Sequence, residues 1–201
     1  MIHETRVNLL HLLEDIRDSY AVALEEVIIA ELIANALDSG ASCLEFTIDP
    51  SAGFIRLADN GRGMRRAELK DYHNIAATAK IRGRGIGFAG VGAKLSLLLA
   101  ERVITATKGP YGARSATQWH LSSPLRAPWK FVPFSGAVTT PKGTAVSVFL
   151  RDGSSSLLDP QFVSRAIRRH YQGFFHAHIS EKLRGYVYRK KVEFWVNGVE
   201  L

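Results

Sequence analysis

Apolar residues recur with a helical period from the start of the chain. Leu9, Leu12, Leu13 and Ile16 share one face of residues 5–18, which predicts a short amphipathic helix. From Tyr20 to Leu37 the chain is apolar almost all round and rich in Ala, Leu, Glu and Ile. This predicts a longer, more buried helix, with Gly40 placed as its stop. The pattern then changes to two strand-like segments, CLEFTID (43–49) and FIRLAD (54–59), joined by the turn-forming Pro50-Ser51-Ala52-Gly53. Residues 65–80 carry a weaker helical pattern. A glycine-dense stretch from Gly83 to Gly92 leads into an apolar helix, AKLSLLLA, and strands follow at 102–108, 116–121 and 144–150. Helices that come first and return between strands predict an α+β sandwich, with helices packed on one face of a mostly antiparallel mixed sheet.

The polar run Asp152-Gly153-Ser154-Ser155-Ser156 reads as a linker. Residues 1–153 are therefore expected to form one domain, and residues 154–201 the truncated start of a following one. In that second piece residues 160–184 look helical, and VEFWVNGVEL looks like a strand entering an Asn197-Gly198 turn. An ordinary C-terminal tail is the alternative.

Composition adds boundaries. At 201 residues, 46% hydrophobic and 22% charged, the chain is ordinary for a globular protein, which excludes collagen-like, disordered and low-complexity classes. Cys43 is the single cysteine and cannot form an internal disulfide, and no leading basic-then-apolar segment suggests export. A cytoplasmic, reducing setting is expected. No apolar run approaches the roughly 20 residues that span a bilayer, so no membrane partner is expected. The net charge of +7 is uneven: −8 over residues 1–60, +10 over 61–164, +7 over 165–191 and −2 at the end. Such clustering points to a polyanionic partner.

The acidic part holds candidate chemistry. Glu31, Asn35 and Asp38 stand at i, i+4 and i+7 and share one face of the long helix, among Ile28, Ile29, Leu32 and Ile33. Two carboxylates and an amide in that setting need polar partners, because burying them unpaired is costly. An Asn oxygen suits a hard cation such as Mg²⁺, which usually binds alongside substrate phosphates. A neighbouring carboxylate can orient or deprotonate a water. Capping or salt-bridging within the chain is the alternative role.

Asp59-Asn60-Gly61-Arg62-Gly63-Met64 closes the second strand. An acceptor-only carboxylate beside closely approaching backbone can accept from an exocyclic amine, as on adenine; an Asx-type turn is the alternative. The stretch Gly83–Lys94 opens a helix, where glycine amides and the helix dipole can cradle phosphate. Gly85, Gly87 and Gly90 satisfy GxGxxG, but no strand precedes them and no acidic residue follows at the required distance, so the dinucleotide reading fails. A P-loop also fails, since Ala93 separates Gly92 from Lys94 and no Ser or Thr follows directly. The loop alone reads as a phosphate loop or a flexible lid.

The order of the blocks ELIANALDSGA, DNGRGM, ATAKIRGRGIGFAGVGAKLS and KGTAVSV resembles the GHKL superfamily of ATPases: gyrase-type topoisomerases, heat-shock chaperones, histidine kinases and MutL. The first block is especially similar to MutL, and the glycine block to topoisomerase VI B subunits and MORC-type proteins. The resemblance covers roughly residues 20–150 and implies a Bergerat-type two-layer sandwich that binds ATP with Mg²⁺. It implies Glu31 as the general base activating water and Asn35 as the Mg²⁺ ligand. Asp59 would bind the adenine amino group, with Asp38 and Thr144 supporting it through water, and Gly61, Gly63 and Met64 would shape the base pocket. Lys80 would reach phosphate, although Ala79 departs from the family's Thr-Ser-Lys. Gly85, Gly87, Phe88, Ala89, Gly90, Val91, Gly92, Ala93 and Lys94 would form the ATP lid. Hydrolysis in this family also uses a lysine from a following transducer domain, so this chain alone is expected to hydrolyse ATP poorly.

The expected function is a Mg²⁺-dependent ATP-binding and hydrolysing module. Its lid would close over ATP and drive homodimerisation or switching in a larger DNA-associated or chaperone-like protein. A histidine kinase catalytic domain is a second reading, but only about 20 residues precede the Glu31 helix, too few for a hairpin bearing a phospho-accepting His. A third is an ATP-gated nucleic-acid-binding module with little turnover. Its contacts would come from residues 165–191, which hold Arg165, Arg168, Arg169, Lys182, Arg184, Arg189, Lys190 and Lys191. A solvated helical face is the plainer reading of that cluster.

Overall fold

Leu24–Asp38 forms the longest helix, α2, and nine of its fifteen residues are buried, Glu31 among them. Glu25 and Glu26 in its first turn complement the positive end of the helix dipole. It ends in a Schellman motif, in which the Gly40 N–H donates to the Leu37 carbonyl at 2.9 Å and the Ala41 N–H to the Ala36 carbonyl at 3.1 Å. The computed structural model describes residues 7–74, 92–176, 179–182 and 191–201. Besides α2 it contains α1 (Leu9–Asp18), β1 (Cys43–Asp49), β2 (Phe54–Asp59), α3 (Arg66–Asp71), α4 (Gly92–Leu95), β3 (Ala100–Lys108), β4 (Arg114–Trp119), β5 (Trp129–Val132), β6 (Gly143–Leu150), α5 (Pro160–His170), β7 (Glu193–Val196) and β8 (Val199–Glu200).

The strands form one sheet in the order β5-β4-β3-β6-β2-β1-β7-β8. Among the described residues only the β1–β7 pair is parallel. Alternation along each strand sends Leu44, Phe46, Ile55, Leu57, Val103, Val146 and Val148 to one face. There they join Ile28, Ile29 and Ile33 of α2 and Val163 and Ile167 of α5 in one core. The expected α+β sandwich is the fold observed.

Several boundaries differ from the expectation. The weak pattern at 65–80 yields α3 over Arg66–Asp71 among the described residues, and AKLSLLLA makes one helical turn, α4, followed by a 3₁₀ turn at Ser96–Leu98. The expected helix at 160–184 is interrupted: α5 ends at His170, a 3₁₀ turn at Gln172–Phe174 follows, and residues 179–182 are helical again. Strand β5 was not expected, because its four residues lie between Pro128 and Pro133 and are specified by pairing with β4.

Residues 154–201, read from the sequence as the start of a following domain, contribute to the same sheet and core. The polar run at 152–156 is a turn: Asp152 Oδ1 accepts from the Ser154 N–H at 2.8 Å and from its hydroxyl at 2.7 Å. The Tyr171 hydroxyl donates to the Ala30 carbonyl of α2 at 2.7 Å, β7 extends the sheet beside β1, and Phe194 is buried against Tyr171, Phe174 and Phe175. The Asn197-Gly198 turn forms, with φ of 47° and 78°, and returns as β8. No helix among the described residues is long and apolar enough to cross a membrane.

Because Phe194 is 2% exposed in the shared core, Phe194→Ala is expected to destabilise the whole domain by about 3–5 kcal/mol. Denaturant melts would show one transition at a lower midpoint. An unchanged main transition with a separately melting C-terminal part would contradict the shared core.

Candidate functional site

The Schellman ending brings the last turn of α2 beside the end of β2, where Asp59 is 8% exposed. The Arg62 N–H donates to the Ser39 carbonyl at 3.0 Å, joining the two segments. The Asp59 carboxylate accepts from the Gly61 N–H at 2.7 Å, with the Thr144 backbone N–H and the Ser39 side chain, whose hydroxyl donates to the Ala36 carbonyl at 2.7 Å, as further polar neighbours that favour its charge. Burial outweighs these neutral donors and pushes the carboxyl from 3.8 up to about 6.

The glycines after Asp59 are required by close packing. A Cβ on Gly61 would lie 1.8 Å from Ser39 Oγ. One on Gly63, whose φ is +66°, would lie 1.9 Å from the Lys108 carbonyl oxygen. This tight path carries Met64 to the site. The Met64 N–H donates to Thr107 Oγ1 at 2.8 Å, and the Thr107 hydroxyl donates to the Gly143 carbonyl at 3.1 Å and sits 3.3 Å from Thr144 Oγ1. Thr107, fully buried, thus ties the Gly61–Met64 loop to the start of β6.

These segments enclose a pocket. Leu32, Ala36, Leu57, Met64, Tyr72 and Val146 give it apolar walls, and Asn35, Asp38, Ser39, Asp59, Arg62 and Thr144 supply polar groups. A flat apolar ring with one outward amine fits such a slot, with Asp59 as the buried acceptor. Glu31 stands one turn before Asn35, about 6 Å along the helix axis. It is buried, and the Tyr20 hydroxyl donates to its Oε1 at 3.1 Å. Burial, together with the Glu31 charge, pushes the Tyr20 hydroxyl up to about 12.

Of the residues singled out from sequence, Asn35, Asp38, Asp59, Gly63, Met64 and Thr144 line this pocket, and Gly61 supports Asp59 from behind. Ala93 is packed in the core. Lys94 is buried, its Nζ donating to the Asn74 carbonyl, and burial lowers its ammonium to about 8. Neither lines the pocket. Gly92 begins α4. Lys80, Gly85, Gly87, Phe88, Ala89, Gly90 and Val91 lie outside the described residues.

Much of the basic cluster at 165–191 meets partners within the chain. Arg169 and His170 reach Glu26 at 3.3 and 2.8 Å, Arg165 lies 3.8 Å from Asp159, and Arg168 stands 5.0 Å from the Phe175 ring centre. Lys191 lies 3.6 Å from both Glu193 and Glu200. Arg184, Arg189 and Lys190 lie outside the described residues. The sequence reading missed Tyr20, Ser39, Tyr72 and Thr107. Only Ser39, beside the stop glycine and next to Asp38, carried a signal that could have been used.

The family model for histidine kinase-, DNA gyrase B- and HSP90-like ATPases matches residues 22–126. The chaperone protein HtpG of Salinispora tropica is 28% identical over 195 residues, covering 87% of this chain and 30% of that protein. The mitochondrial heat shock protein 90-6 of Arabidopsis thaliana is 26% identical over 212 residues, covering 84% of this chain and 25% of its own length. The DNA mismatch repair protein MutL of Microcystis aeruginosa is 40% identical over 57 residues, 28% of this chain and 10% of that protein. The chain thus spans less than a third of each of these relatives. With a match over more than half its length, the chain belongs to the histidine kinase-, DNA gyrase B- and HSP90-like ATPase family, and membership implies that it binds ATP.

Proposed function

We propose that the chain is a Mg²⁺-dependent ATP-binding and hydrolysing module, and that the pocket around Asp59 takes the adenine. The observation that carries this reading is a buried acceptor carboxylate at one end of an apolar slot whose other side is the helix bearing Glu31, Asn35 and Asp38. Asp59 accepts from the exocyclic amine, while Asp38 and Thr144 hold the surrounding water. Leu32, Leu57, Met64 and Val146 exclude solvent from the ring. The phosphates run toward Asn35.

Among the described residues no cluster of three His, Cys, Asp or Glu side chains could hold a metal. Asn35 beside substrate phosphates suits Mg²⁺, which needs few protein ligands when those phosphates supply the rest. Asn35 Oδ1 would hold it, and bound Mg²⁺ supplies charge neutralisation on the phosphates. Glu31 takes the proton from the attacking water, and Tyr20 is a positioning residue whose hydroxyl donates to that carboxylate and fixes its orientation. The glycine segment Gly85–Val91 acts as the lid, and closure drives dimerisation or switching in a larger chaperone-like or DNA-associated protein. The block order and the family support this wider role.

Glu31→Ala is expected to lower kcat at least about 100-fold while ATP binding persists. Tyr20→Phe is expected to lower kcat about threefold to tenfold at unchanged KM. Steady-state phosphate release checks both. Full turnover in Glu31→Ala would remove it as the base.

Asp59 is the stronger acceptor when ionised. Burial pushes its carboxyl up to about 6 in the free protein, so adenosine affinity is expected to weaken as the pH falls below that value. Asp59→Asn is expected to weaken binding severely at all pH values, since its amide presents donors to the amine. Calorimetric titration checks both. Near-normal affinity in the variant would sink the adenine assignment.

A further inference from the structure

The sheet face opposite α2 and α5 has a chemistry of its own. From Arg102 to Arg151, fifty residues spanning β3 to β6, there are seven basic residues and no acidic one. Strand register aligns part of this run with β2. Arg102 pairs with Phe149, Phe149 pairs with Phe54, and Arg56 stands two residues further along on the same face. The side chains stack in that order. The Arg102 guanidinium lies 4.0 Å from the Phe149 ring centre, the Phe149 and Phe54 centres are 5.4 Å apart, and the Arg56 guanidinium lies 5.1 Å from Phe54. Arg56 Nε donates to Ser147 Oγ at 2.9 Å, which fixes the end of this ladder.

Exposed Lys130 and Arg114 extend the positive charge across β5 and β4 on the same face. Carboxylates share one side of this face: register puts Asp49 beside Phe54 and places Glu45, Glu193 and Glu200 further out on β1, β7 and β8, so the basic part is the half of the face from β5 to β2. Glu101 lies 3.1 Å from Arg102, and Asp49, paired in register with Phe54, accepts from the Ser51 hydroxyl at 2.6 Å and the Ala52 N–H at 3.0 Å.

A row of planar groups flanked by fixed cations matches planar bases joined by phosphates. Bases stack on aromatic rings and on guanidinium planes, and phosphates take Arg and Lys. A single-stranded chain presents those faces, whereas a duplex hides them. On the half of the face from β5 to β2 the charged strand residues, Arg56, Arg102, Lys108, Arg114 and Lys130, are all basic. We propose that this face, centred on Arg102, Phe149, Phe54 and Arg56, binds single-stranded nucleic acid. The surface is separate from the ATP pocket and from the α5 cluster.

Fluorescence anisotropy with a labelled oligothymidylate, without nucleotide, tests this on the full chain. Wild type is expected to bind at low salt, with affinity falling linearly in log salt. Arg56→Glu/Arg102→Glu is expected to weaken binding at least about tenfold and to flatten the salt slope by about 1.4, the loss of two single-strand phosphate contacts. Because that pair touches the ladder, Arg114→Glu/Lys130→Glu at exposed positions gives the second reading and is expected to weaken binding about threefold to tenfold with an unchanged melting profile. Arg165→Glu/Arg168→Glu is expected to bind as wild type. No binding at low salt, loss confined to the α5 variant, equal binding of blunt duplex, or tighter binding to anionic phospholipid vesicles would each overturn the proposal.

Discussion

The structure depends on one costly placement, a carboxylate buried at the end of a central strand and held by neutral donors. Raising the Asp59 carboxyl from 3.8 to about 6 corresponds to roughly 3 kcal/mol against the charged form. The fold carries that cost above pH 6 and sheds it as pH falls toward the unfolded value. An amine entering the slot would offset it, because a donor would then meet the acceptor. The same charge that weakens the empty domain is therefore what would make ligand binding favourable and selective.

The surrounding construction follows from holding that carboxylate. The Schellman stop of α2 delivers Ser39 to Asp59, and the glycines after it let the loop pass within contact of Ser39 and Lys108. Thr107 locks the same loop to the start of β6, so Thr144 arrives at the site from a strand far away in sequence. Helix α2 then serves twice. Its apolar residues anchor the core, and its remaining face presents Asn35 and Asp38 to the pocket with Glu31 a turn behind. Tyr171 and β7 brace that helix and the sheet from the C-terminal end of the chain.

What could be read in advance was what depends on local pattern. The α2 helix, the strands at 43–49 and 54–59, and the Asn197-Gly198 turn follow from periodicity and turn chemistry. Glu31, Asn35 and Asp38 stood out because polar groups in an apolar run demand partners, and Asp59 because it ends a strand just before two glycines. What depends on distant pairing was not legible. Strand β5 exists through its ladder with β4, Thr107 looks like any strand threonine until Met64 and Gly143 meet it, and Tyr20 meets Glu31 only through the path of the connection before α2. The polar run at 152–156 misled for a related reason: composition alone does not distinguish a turn that returns the chain to the same core from a linker that leaves it.

Charge sharpened in the same way. Part of the basic excess at 165–191 is balanced within the fold by Glu26, Asp159, Glu193 and Glu200. The central claim is that Asp59 reads the exocyclic amine of adenine, and a comparison of ADP with IDP tests it most directly, since the two differ in the group that faces the carboxylate. Calorimetry at pH 7.5 with Mg²⁺ is predicted to show ADP binding at least about 100-fold tighter than IDP, because an oxygen in place of the amine leaves the buried acceptor unpaired. Equal affinity for the two nucleotides would contradict the account.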